Sequence, residues 1–99
     1  MEIKKEQNGS ALTIKVIGRL DAGSAPELSK ELTTALDGVT DLTFDFAELK
    51  YIASAGLRVL LKAQKKVSEN GTMRVINAVP EVMRIFETTG FTDILNIEK

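Results

Sequence analysis

The chain's 99 residues and formal net charge of -1 describe one domain with no strong field to draw it onto nucleic acid or an anionic membrane. An apolar share of 43% beside 27% charged residues suits a compact core with a solvated surface. Cysteine and histidine are both absent, which removes disulfides, the usual zinc ligands and any Ser-His or Cys-His catalytic pair.

The carboxylates do not cluster as an oxygen-only metal site requires, so neither metal nor cofactor is expected. Met1-Glu2-Ile3-Lys4-Lys5-Glu6 is too charged for a signal peptide. No apolar run approaches the roughly 20 residues that span a bilayer, and the expected address is the cytoplasm, with no membrane partner.

Residues 11 to 17 alternate, with Leu12, Ile14 and Val16 on one face and Thr13 and Lys15 on the other; this predicts a half-buried strand. Asn8-Gly9 before it is a tight-turn signal, so residues 2 to 6 pair with it as a hairpin. Gly18-Arg19-Leu20-Asp21 closes the strand. Ser24-Ala25-Pro26-Glu27 then reads as a helix start, and Leu28, Leu32, Ala35 and Leu36 form its apolar stripe. Gly38 ends it.

Leu42, Phe44 and Phe46 alternate with Thr43 and Asp45, giving a strand over residues 42 to 47. Tyr51-Ile52 has the look of a buried strand end, and Leu57, Leu60, Leu61, Gln64 and Val67 mark one face of the helix that follows. Lys62, Lys65 and Lys66 lie elsewhere, as a solvated face or a contact for an acidic partner. Asn70-Gly71 closes that helix, residues 73 to 77 form a strand, and Pro80 opens a helix carrying Val82, Met83, Ile85 and Phe86 up to Gly90. Residues 93 to 97 are expected as a last edge strand. The order β-β-α-β-α-β-α-β, without repeat or linker, predicts an α/β domain with a small mixed, mostly parallel sheet and helices mainly on one face.

Crossover topology gathers strand-to-helix turns at the carboxyl ends of the strands. Two such turns stand out, one offering Asp21 and one, Ala53-Ser54-Ala55-Gly56, offering Ser54. With a helix beginning near Ala55, the Ser54 oxygen can cap a free amide, a contribution of about 1 kcal/mol. The same place suits a phosphate, which would add about -1.5 to -2 charges to a small-residue surface and turn a binding face off. A serine nucleophile is the third reading, but the turn lacks G-x-S-x-G and the chain has no imidazole base. Asp21 equally suits an ordinary turn residue. Asp45 faces solvent or a neighbouring loop.

Taken together, Gly18-Arg19-Leu20-Asp21, Ser24-Ala25-Pro26, Tyr51-Ile52-Ala53-Ser54-Ala55-Gly56-Leu57 and Phe86-Glu87-Thr88-Thr89-Gly90-Phe91 resemble, in order and spacing, the STAS domain of sulfate transporters and anti-sigma factor antagonists. The resemblance covers nearly all of residues 1 to 99 as one domain. It implies a free-standing bacterial anti-sigma factor antagonist, a binding module and not an enzyme. Such a protein binds an anti-sigma factor, often a serine kinase of the GHKL type, and so releases a sigma factor. The kinase phosphorylates the antagonist and breaks the complex, and a PP2C-type phosphatase restores it. The rival implications are a STAS scaffold or transport-system subunit with no phospho-switch, or a small-ligand or nucleotide module.

The family's acceptor motif, Asp-Ser-(Ser/Thr/Ala)-Gly-Leu, places Ser54 on the acceptor, Gly56 on the glycine and Leu57 on the following apolar residue. Asp21, Ser24, Ala53, Ser54, Ala55, Gly56, Leu57 and Arg58 are then the implied partner-binding residues. Ala53 departs from the pattern, standing where the family has an acid. Arg58, where glycine is common, brings a cation within a turn of Ser54, either to pair with a phosphate or to point to solvent.

Overall fold

A computed structural model describes residues 1–98. The elements run β1 (Glu2–Asn8), β2 (Ala11–Leu20), α1 (Ala25–Ala35), β3 (Asp41–Asp45), β4 (Leu49–Ile52), α2 (Ser54–Val67), β5 (Thr72–Ile76) and α3 (Pro80–Thr89), with a 3-10 turn at Phe91–Asp93. The α/β class and mixed sheet agree with the sequence reading, but the order differs at two places.

The expected strand at residues 42 to 47 is followed by a second strand, β4, that alternation does not reveal. Leu49 and Ile52 are buried while Lys50 and Tyr51 between them are exposed, a pattern of no single period. What makes β4 a strand is distant: it pairs in parallel with β2. The expected last strand at residues 93 to 97 is the second correction. Gly90, at φ 79°, closes α3 and the chain enters the 3-10 turn. Only Ile97 then bridges to Val75, with Glu98 N–H donating to Val75 O at 2.9 Å.

β2 is the hub. It pairs antiparallel with β1, as Asn8-Gly9 predicts, and in parallel with β3 over its first half. Its far end, Gly18 to Leu20, pairs in parallel with β4, and within that pairing the register shifts between Gly18 and Arg19. Gly18 makes that shift at φ 99°, a conformation that costs a residue with a Cβ. β5 completes the sheet beside β3.

One face of the sheet carries Leu12, Ile14, Val16, Leu42, Phe44, Met73 and Val75, all buried in one cluster with Leu28 and Leu32 of α1, Leu57 and Leu60 of α2, and Val82 and Phe86 of α3. The helices therefore cover that face. The other face is polar, with Lys15 paired to Glu48 at 2.6 Å and Arg74 Nε donating to Thr43 Oγ1 at 3.0 Å. On α2 the buried line is Gly56, Leu57, Val59, Leu60, Ala63 and Val67. Gln64 is only half buried and donates from Nε2 to Ile94 O at 2.8 Å. Among the described residues, no helix is long and apolar enough to cross a membrane.

Candidate functional site

The split of β2 between β3 and β4 builds the site. Parallel pairing sets Arg19 beside Tyr51 and Leu20 beside Ile52, and Ala53 N–H donates to Leu20 O at 2.9 Å. Asp21 and Ala53 thus leave the sheet side by side at the carboxyl ends of neighbouring strands. The two turns singled out in the sequence meet here.

The Asp21 turn is held by its own side chains. Asp21 Oδ1 accepts from Gly23 N–H at 3.0 Å and Ser24 N–H at 3.1 Å. Ser24 Oγ donates to Arg19 O at 2.8 Å and accepts from Asp21 N–H at 3.0 Å. The Ser24 amide, the largest influence, holds the Asp21 carboxyl below its ordinary 3.8; desolvation, next in size, opposes it, and the Ser24 hydroxyl, the Gly23 amide and nearby Arg19 lower it further. Ser24 itself is the N-cap of α1 but spends its oxygen on this turn and not on the helix.

α2 starts one residue earlier than the sequence suggests. Its N-cap is Ala53, extended at φ -101° and ψ 174°, and no side chain caps it. Ser54 is the first helical residue and is exposed. The capping reading of Ser54 is therefore set aside: the residue placed to cap has only a methyl group. Leu57 N–H reaches Ala53 O at 3.1 Å, while the amides before it have no partner within the helix.

Gly56 lets this start lie on the sheet, facing Leu20 and Ile52, and Leu57 is buried beneath it. Ala55 is half buried and Arg58 exposed. A shallow depression of about 200 Å³ opens next to Ala55, edged by Ala22, Ala25, Pro26 and Arg58. Ser29, Val59 and Lys62 complete its lining, and Ser54 stands exposed next to it at the start of α2.

Sequence reading missed two contributors. Arg19 lies with its guanidinium carbon 4.5 Å from the centre of the Tyr51 ring, and its Nε is 3.8 Å from Asp21 Oδ2. Both side chains are exposed on the rim. The pairing follows from the β2–β4 register, which no local pattern reports. A larger cleft of about 700 Å³, between Ile17, Leu49 and Val79, includes none of the residues expected at the site. Among the described residues no group of three or more acidic side chains is placed to hold a metal.

The family model described as "STAS domain" matches residues 2–99. The chain is 28% identical to the anti-sigma-B factor antagonist of Bacillus subtilis over 98% of this chain and 90% of that protein. It is 31% identical to the one from Listeria monocytogenes, over 95% and 84%. Among solved structures, an anti-sigma factor antagonist from Mycobacterium paratuberculosis superposes with a TM-score of 0.87 at 21% identity, covering 97% of this chain and 83% of that one. Unphosphorylated SpoIIAA superposes at 0.77 and 18%, covering 99% and 88%; phosphorylated SpoIIAA does so at 0.75 and 19%, covering 99% and 92%.

Proposed function

The chain belongs to the STAS domain family, among its anti-sigma factor antagonists, and from that premise we propose that it binds an anti-sigma factor through the Asp21–Ser54 rim and is switched off by a phosphate on Ser54. The observation that carries this reading is the position of Ser54: an exposed hydroxyl on the first residue of α2, flanked by Ala53 and Ala55. That a protein of the same fold exists in a phosphorylated form supports it.

The partner is a serine kinase of the GHKL type. Bare, the rim offers Ala22, Ala55 and the Tyr51 ring for close contact, with Asp21 Oδ2 and the Ser54 hydroxyl for polar contact. In the kinase reaction the γ-phosphoryl group of ATP passes to Ser54 Oγ, the hydroxyl proton is lost and ADP leaves. The product carries about -1.5 to -2 charges in the middle of the contact surface. Burying that charge against a partner costs several kcal/mol unless it is paired, so the complex dissociates and the anti-sigma factor regains its sigma factor. A PP2C-type phosphatase resets the switch.

The test is a binding titration against a GHKL-type serine kinase from the same organism, using the bare protein and Ser54→Asp, with mass spectrometry after incubation with ATP. The expected results are a phosphate on Ser54 and at least a tenfold loss of affinity in the variant. Equal affinity of both proteins sinks the switch. Ala53 favours one second reading, a member that binds without being modified; tight binding with no phosphate transferred would establish it.

A further inference from the structure

We propose that Arg58 is the internal counter-ion of a phosphate on Ser54, recruited from the mouth of the depression between α1 and α2. The inference rests on Ser54 as the acceptor and concerns what the chain itself does with the phosphate.

Ser54 and Arg58 are four residues apart on α2 and both exposed. That spacing stacks two side chains on one face of a helix, with Cβ atoms about 5–6 Å apart. The anion stands N-terminal to the cation, the favourable order for such a pair. A guanidinium also meets phosphate oxygens with two parallel N–H donors, which a lysine does not.

Nothing on the helix competes for Arg58. α2 has no Asp or Glu, and among the described residues Arg58 makes no ion pair; the cations that do are Lys4, Lys5, Lys15, Arg19 and Arg74. The carboxylate of the rim, Asp21, accepts from the amides of Gly23 and Ser24 and lies beside Arg19. Ala53 adds no charge to repel the phosphate. In the bare protein Arg58 instead edges the depression formed with Ala22, Ala25, Pro26 and Ala55, with Lys62 the other cation on its lining. A rotamer change carries its head group to the phosphate and uncovers those small residues. Phosphorylation then changes the surface twice, adding charge at Ser54 and removing a cation from the groove mouth.

The test installs phosphoserine at position 54 during translation, so that neither kinase nor partner is needed, and follows its phosphorus resonance against pH. Phosphoserine loses its second proton near pH 6, and a paired cation favours the dianion and lowers that midpoint. The midpoint of the parent is expected about half a unit below that of Arg58→Gln, a roughly threefold change in the acid constant, with Arg58→Lys between them. The helix start, Asp21 and Arg19 are common to all three proteins and drop out of the comparison. The methyl resonance of Ala22, which lines the depression with Arg58, is expected to move further on phosphorylation in the parent than in Arg58→Gln. Identical midpoints and identical methyl shifts in the two proteins would overturn the proposal and leave Ser54 as the acceptor untouched. Failure of a kinase to modify Ser54 would remove the acceptor reading without touching the titration.

Discussion

Gly56 lies against Leu20 so closely that a Cβ on it would fall 2.7 Å from Leu20 Cγ, and 2.9 Å from Cγ1 of Ile52. Real Cβ atoms do not approach so near, so the start of α2 sits where it does because residue 56 has no side chain. The close approach holds Ser54 at the rim beside the Asp21 turn.

Gly56→Ala tests that relationship. Alanine is the better helix former by about 1 kcal/mol, and helix propensity alone predicts a gain. Overpacking against two buried side chains costs about 1–3 kcal/mol, and the steric cost is expected to win. Urea denaturation should show a net loss of up to about 2 kcal/mol. A more stable variant would mean that Leu20 and Ile52 yield freely.

Gly71→Ala is expected to cost more. Its Cβ would fall 1.8 Å from the carbonyl oxygen of Thr40, a backbone atom that also accepts from Thr72 N–H at 2.8 Å. Backbone cannot rotate away as a leucine tip can, so the loss should reach or exceed about 3 kcal/mol. The two alanine variants, compared in one denaturation series, separate side-chain crowding from backbone crowding; equal losses would contradict the distinction.

Ala53→Asp is expected to stabilise the protein. The N-cap has the extended geometry that lets an Asp oxygen accept from the first-turn amides, and at present no side chain does so. Replacing alanine at such a position is worth about 1 kcal/mol, an increase of some degrees in the melting temperature of a domain this size. In this geometry an acid at residue 53 is a helix cap. An unchanged melting temperature would show that the carboxylate turns away.

Asp21 makes stability depend on pH in the acid range. Its folded pKa is held below 3.8 by the Ser24 amide above all, so its contribution is fully present above the unfolded value, near 3.9, and is lost as pH falls through the lower folded value. The gap in urea midpoint between the parent and Asp21→Asn should therefore be constant above about pH 5 and shrink below about pH 4. A gap that persists unchanged to about pH 3 would show that the turn does not depend on the charge.

Much of this fold is written in local pattern. Leu12, Ile14 and Val16 announce β2, Asn8-Gly9 its hairpin, and Pro80 and Gly90 the limits of α3, because each signal depends on neighbours in the chain. β4 escapes because its strand character comes from bonds to β2 beyond the Gly18 shift. Ile97 joins the sheet through one bridge, too little for the strand that residues 93 to 97 suggest. At the site, Ser54 and Asp21 were legible from their turns and from the family motif. The Arg19–Tyr51 contact was not, since it exists only where two distant segments run side by side. The helix start was misread by one residue because serine is the better capping side chain, yet backbone geometry gives the cap to Ala53.

The hydrogen bond from Ala53 to Leu20 has a further consequence for timing. The hairpin of β1 and β2 can form early from near neighbours, but β4 must close a long loop before it meets the far half of β2. Until then Ser54 is an ordinary serine in a mobile chain, without Asp21 or Arg19 nearby. The feature a kinase would read is therefore assembled late, and a nascent or unfolded copy does not display it. The surface proposed above as the switch is complete only in molecules in which β2 and β4 have paired.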